Sequence, residues 1–216
     1  MPTEGSLDGA FVLRWVRGSA GSLREQRDFL TQLDAAIGDA DHGVNMDRGF
    51  AQAVAKLDGS SDVGPGALLE LVGTTLVLSV GGAAGPLYGS ALRQMGRTLG
   101  DAPTFDGESL LTLLRAALDE VQRLGAATTG DKTMVDALVP AIDGLERGLR
   151  GGEPLRQALA RASEGADGGA QATIPMQARK GRASYLGPRS VGHQDPGATS
   201  LALLIAALGA AAEAEP

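Results

Sequence analysis

The chain contains no cysteine, and only 3% of its 216 residues are aromatic. Without cysteine there is no disulfide framework, no thiol nucleophile and no cysteine-ligated zinc; a reducing, cytoplasmic setting agrees with that. With so few aromatics, the core has to be built from aliphatic side chains and alanine. Positive charge is also short: 19 Lys and Arg face 26 Asp and Glu, for a net charge of −7. That balance argues against nucleic acid as the main partner and against an anionic membrane surface. The opening "MPTEGSLDGAF" lacks the basic-then-apolar layout of a signal peptide. The longest apolar stretch, "ATSLALLIAALGAAAEA", falls short of the roughly 20 strongly apolar residues of a membrane span. Glu213 near its end marks it as a buried helix. Histidine is scarce as well, and neither His42 nor His193 has a Ser or Cys partner at a recognisable spacing, so nucleophilic catalysis is not indicated.

What is present is apolar periodicity cut by glycine. Hydrophobic residues make up 43% of the chain, and the 32 glycines fall mostly between apolar runs. Leu7 to Arg17 reads as a short helix. A second opens at "SLREQ" with a capping box, Ser22 with Glu25, and carries Leu23, Leu30, Leu33 and Ile37 on one face. A third begins near Asn45 and runs to about Leu57. "GPGALLELVGTTLVLSV" is apolar nearly all round and reads as a buried helix. The next helix has Pro86 at its start and Gly100 at its stop. Residues 107–124 follow, capped by Asp106 and stopped by Gly125. Thr133–Leu149 is helical, with a kink expected at Pro140. Residues 153–172 start on Pro154, residues 175–196 read as a long ordered loop, and a last helix covers about Gly197–Ala212. The expectation is an all-α fold of about eight helices in a single domain spanning residues 1–216.

Three stretches carry chemistry. "LDAAIGDADHGVNM" sets Asp34 on the last turn of a helix and Asp39 and Asp41 on the turn after it, where Gly38 lets the chain bend back. Isolated Asp residues more often cap a helix or sit on a solvated loop. Three together repel unless something positive lies among them, and hard oxygen donors with room for water and phosphate suit Mg2+. "GGAAGP", residues 81–86, is a Gly-rich turn at a helix start. It offers backbone N–H groups to an anion, or is simply a tight interhelical turn; it is neither a Walker A loop nor a Rossmann fingerprint. "ARKGRASYLGPRSVGHQDPGATS" gathers Arg179, Lys180, Arg182 and Arg189 among glycines ahead of the last helix. A solvated charge run is the plain reading; a loop folded over a polyanion is the functional one. "TTGDKTMVDAL" adds Asp131, Lys132, Thr133 and Met134 at a helix start.

Taken in order, "LDAAIGDADHGVNM", "GGAAGPLYG", "GDKTMVDAL" and "GRASYLGPRSVGHQDPGATS" resemble the nucleotide-binding L subunit of bacterial dihydroxyacetone kinases over essentially the whole chain. The resemblance implies a barrel of eight antiparallel helices with the nucleotide at one end. It implies that Asp34, Asp39 and Asp41 hold Mg2+ ions bridging the phosphates of ADP or ATP. His42, Gly43, Val44, Asn45, the backbone at Ala83 and Ala84, Gly125, Met134, Arg182, Asp195, Pro196 and Gly197 would surround the nucleotide. No residue of this chain is assigned a catalytic role. The ketose would sit on a separate K subunit, held by a histidine of that subunit. In the phosphotransferase-system version ADP stays bound and a phosphocarrier M subunit rephosphorylates it; in the ATP-dependent version K-like and L-like domains are fused. A homodimer remains an open option. Two departures stand out: Ala83 and Ala84 occupy positions where the family often has Ser, and Pro188 stands where an acidic residue is common before Arg189. The alternatives are a nucleotide-loaded module that regulates a partner such as a transcription factor, and a kinase subunit for another ketose or a carrier-bound acyl group.

Overall fold

A computed structural model describes residues 6–60 and 62–213. Among these residues the chain forms nine α-helices, one 3-10 segment (Arg182–Ser190) and no strand. The helices are α1 (Gly9–Glu25), α2 (Arg27–Ile37), α3 (His42–Leu57), α4 (Pro65–Ser79), α5 (Ala84–Leu99), α6 (Gly107–Gly125), α7 (Val135–Arg150), α8 (Leu155–Ala172) and α9 (Pro196–Glu213). The fold is all-α and forms one domain, as expected.

The packing order shows the architecture. α1 lies on α3, each helix from α3 to α9 lies on the next, and α9 returns to α1. Eight helices therefore close into a ring, and α2 stands outside that order against α3 and α9. Neighbours run antiparallel. Trp15 Nε1 donates to the Leu204 carbonyl at 2.9 Å while Arg14 Nε donates to the Ala211 carbonyl at 3.2 Å, so α9 descends as α1 rises. The core is Leu- and Ala-rich, with Phe11 and Phe105 meeting edge to face at 6.0 Å. Phe105 also pairs with Leu7 by two backbone hydrogen bonds of 2.8 Å, which ties together the starts of α1 and α6. Small residues set the closest helix approaches. A Cβ on Gly73 or Gly89 would collide with the backbone of the other helix across α4–α5, and Gly144 and Gly169 do the same across α7–α8.

Local signals misplaced several ends. Ser22 does not open a helix: α1 runs through it, and the Ser22 carbonyl accepts from Gln26 N–H at 3.0 Å. Val12, Val16, Ser19 and Leu23 continue one buried face at helical spacing, so packing overrides the capping box and the break falls at Gln26. Leu33 is only half-buried; the inward face of α2 is Leu30, Asp34 and Ile37. α6 includes Gly125, and it is Ala126 that takes the left-handed position after it, at φ 47°. α7 continues through Pro140. Within the long loop, residues 182–190 wind into the 3-10 segment, bent at Gly187. α4 is buried over most of its length, but Leu78 near its end is 83% exposed. α9 has the length and composition of a membrane span, yet Leu201, Leu204, Ile205 and Leu208 are buried inside the ring.

Candidate functional site

A cleft of about 300 Å³ opens at the end of the ring where α2, α4 and α6 finish and α3, α5, α7 and α9 begin. Its acidic wall is the turn between α2 and α3. Asp34 lies on the inward face of α2 and is buried, an expensive place for a carboxylate without partners. Its Oδ2 accepts from the Asp41 N–H at 2.9 Å and the His42 N–H at 3.2 Å, the amides of the N-cap and of the first residue of α3. That arrangement explains why α3 starts at His42 rather than near Asn45. Asp41 is the N-cap residue by position, but its side chain makes no capping bond. A Cβ at Gly38 would overlap the Asp34 carboxylate, so glycine is required there. Ala40 takes a left-handed φ of 63° to complete the turn. Asp34, Asp39 and Asp41 each bring a carboxylate oxygen within 4.8 Å of the others. Three hard oxygen donors at that separation, two of them exposed, match what a hydrated Mg2+ ion requires.

Opposite them lie cationic and backbone donors. Arg182 Nη2 reaches Asp39 Oδ2 at 3.0 Å across the mouth. Lys180 also lines the cleft, whereas Arg179 turns to Asp131 at 3.9 Å and Arg189 is exposed away from the cleft. The turn at Gly81–Ala83 leads into α5, whose N-terminus carries no side-chain cap. The amides of Ala84 and Gly85 in its first turn are thus available to an anion, while Pro86 has none to give. Asn45 packs against Gly81 and is held by Arg48 at 2.7 Å. The back of the cleft is apolar: Ile37, Leu87, Val121, Ala127 and Met134.

A buried polar layer underlies the floor. His42 Nε2 meets Ser200 Oγ at 2.8 Å, and Ser200 Oγ meets the Tyr88 hydroxyl at 2.8 Å. The Tyr88 hydroxyl also reaches the Gly197 carbonyl at 2.9 Å. Burial lowers the His42 pKa although Asp34 and Asp41 push it up, so its ring is neutral at neutral pH. Burial likewise raises the Tyr88 pKa and keeps the phenol protonated. Asp195 caps α9 by accepting from the Ala198 N–H at 2.7 Å, and burial pushes its carboxyl up to about 7. Asp136 braces the loop before α7, accepting from the Thr133 N–H at 2.9 Å and the Gly130 N–H at 2.5 Å.

Of the residues singled out in the sequence, Asp34, Asp39, Asp41, His42, Asn45, Ala83, Ala84, Gly125, Met134, Arg182, Asp195, Pro196 and Gly197 line this one cleft. Gly43 and Val44 do not: Gly43 is buried against α2, where a Cβ would strike the Arg27 carbonyl, and Val44 points outward, 47% exposed. Sequence reasoning passed over Ile37, Leu87, Tyr88, Val121 and Ala127 as cleft residues. It also gave no role to Ser200 or Lys132. Ile37, Leu87 and Val121 showed only apolar periodicity, which marks a core face and does not tell a core face from a cleft wall, and Lys132 stood out only within "TTGDKTMVDAL" at a helix start.

The sequence profile described as the DAK2 domain matches residues 36–210. A relative from Escherichia coli, the ADP-binding subunit DhaL of PEP-dependent dihydroxyacetone kinase, is 42% identical over 96% of this chain and 99% of its own length. D-erythrulose kinase of Mycolicibacterium smegmatis is 37% identical over 93% of this chain, which spans only 35% of that longer protein. The crystal structure of the dihydroxyacetone kinase from C. freundii in complex with AMP-PNP and Mg2+ superposes with a TM-score of 0.69 at 25% identity. It covers 94% of this chain and 33% of that one.

Proposed function

The chain belongs to the DAK2 domain family, and from that premise we propose that it is the nucleotide-holding subunit of a dihydroxyacetone kinase. The whole chain, residues 1–216, would serve as one nucleotide-binding domain. The observation that carries the reading is the cleft itself: three carboxylates within 4.8 Å on one wall, and Arg182 with an uncapped helix start on the others. In this reading Asp34, Asp39 and Asp41 hold Mg2+. When bound, the ion would supply charge neutralisation for the phosphates, the main requirement of phosphoryl transfer. Arg182, now paired with Asp39, would exchange that partner for a phosphate oxygen. The amides of Ala84 and Gly85 would take further oxygens, the work that Ser hydroxyls share where the family has Ser in this turn. The apolar wall around Leu87, Val121 and Met134 would take the base. His42, neutral and oriented by Ser200, would donate or accept a hydrogen bond without adding charge.

The E. coli relative matches nearly end to end and is named as PEP-dependent, which favours resident ADP over exchanging ATP. The partners would then be a cytoplasmic K subunit that holds the ketose and a phosphocarrier M subunit that recharges the ADP. The erythrulose kinases among the relatives favour a second reading, the same phosphoryl transfer toward a four-carbon ketose. Calorimetry tests the proposal. Mg·ADP should bind the wild-type protein, and Asp39→Asn should weaken metal and nucleotide together. Unchanged ADP affinity in Mg2+ for that variant would remove the carboxylate cluster from the site.

A further inference from the structure

Lys132 is a cation with an odd placement. It is 1% exposed, and its backbone sits at φ 62°, a left-handed conformation that side-chain-bearing residues rarely adopt. Its Nζ donates to three backbone carbonyls: Thr173 at 2.7 Å, Met176 at 3.2 Å, and His193. An ammonium has three N–H donors. Each has a carbonyl here, so none is left for a phosphate, although the residue lines the cleft. The acceptors lie at both feet of one arm. Thr173 and Met176 leave α8, His193 leads into α9, and between them run Lys180, Arg182 and the 3-10 segment. The feet are also joined next to the ammonium: Gly192 N–H donates to the Ile174 carbonyl at 2.8 Å, Asp195 N–H to Thr173 Oγ1 at 2.9 Å, and Arg179 N–H to the Asp131 carbonyl at 3.1 Å.

We propose that Lys132 is a positioning residue that clamps both feet of this arm and so fixes where Arg182 and the start of α9 stand in the cleft. The inference rests on the nucleotide reading above for its effect on ligand, but the clamp itself can be tested without ligand. Lys132 is buried for geometry: one point charge with three donors can gather carbonyls from segments distant in sequence, which no apolar side chain can do.

Two measurements on the full chain test it. In the first, hydrogen exchange without nucleotide compares Lys132→Met with wild type. The amides of Arg179, Gly192 and Asp195 should lose protection while those of α4 and α5 keep it; unchanged protection at those three overturns the clamp. The second is a double-mutant cycle on the Mg·ADP dissociation constant. Lys132→Met should weaken binding by about tenfold in wild type but much less in an Arg182→Ala background, because the arm it positions has lost its phosphate contact. Equal losses in both backgrounds, or no loss, overturn the inference. Wild type failing to bind Mg·ADP would instead overturn the nucleotide reading and leave the exchange result to decide the clamp. Should Lys132→Met not fold, Lys132→Gln, which keeps two N–H donors, supports both measurements.

Discussion

Burial pushes the Asp195 carboxyl up to about 7, with Asp136 and Asp34 adding to the rise and the Ala198 amide and Lys132 opposing it. A raised carboxyl pKa means that the folded state prefers the protonated form. Its contribution to stability is therefore complete below the ordinary value of 3.8 and is lost as pH climbs through about 7. Asp195→Asn keeps an oxygen for the Ala198 amide and removes the charge. The ligand-free wild type should lose stability between about pH 4 and 7 while this variant shows a flatter profile, the difference being at most roughly 4 kcal/mol. His42 works in the opposite sense in both proteins. Its lowered pKa favours the neutral ring, so support is lost as pH falls below the ordinary 6.5. Melting temperatures across that pH range decide the matter, and equal slopes would place the titration elsewhere. At this scale the sequence was informative where chemistry is local. Asp39 and Asp41 lie a few residues from Asp34, and their convergence could be read from spacing and one glycine. Lys132 could not be read that way, because its acceptors are 41, 44 and 61 residues distant.

Glycines that look alike in sequence do different work along one helix. Gly168 and Gly169 are neighbours on α8. A Cβ at Gly168 meets nothing within 4 Å, while one at Gly169 collides with the backbone at Asp136 and Ala137 of α7. Gly168→Ala should stabilise the protein by about 0.5–1 kcal/mol, since alanine is the better helix former. Gly169→Ala should destabilise it by about 1–3 kcal/mol, because α7 and α8 must separate to admit the methyl group. Urea denaturation of both variants measures the opposite signs; the same sign for both would mean that α8 does not rest on α7 through this glycine. The same distinction explains why helices were legible in the sequence and several of their ends were not. Periodicity reports a buried face, and the faces of α6, α7 and α8 follow it. Ends depend on what satisfies the last backbone groups. Ser22 was overruled by a face that runs on to Leu23, and α3 was extended by the Asp34 carboxylate on another helix.

An antiparallel ring puts half of its helix starts at each end. At the cleft these are α3, α5, α7 and α9, so their partial positive charges converge on one cavity that also holds three carboxylates. At the other end Asp8 and Asp106 cap α1 and α6 with their own side chains, bonding Phe11 and Ser109 amides at 2.9 Å each. At the cleft Asp34 and Asp195 answer the starts of α3 and α9 in the same way, but α5 starts there with no side-chain cap and faces the cavity. Ring closure was not legible in periodicity, since α9 meets α1 across nearly the full chain, and only the family resemblance anticipated it. The cavity's carboxylates suit a divalent ion, its cationic side chains and uncapped amides suit a polyanion, and its apolar wall suits a base. This chain spans 35% of the longer D-erythrulose kinase. On the proposed function, the chain alone, given ATP, Mg2+ and dihydroxyacetone, should form no dihydroxyacetone phosphate, and product should appear only when a K subunit and a phosphorylated M subunit are supplied. A coupled assay for dihydroxyacetone phosphate measures this directly. Product from the isolated chain would require a ketose site within this ring, and the division of labour between two subunits would fall with it.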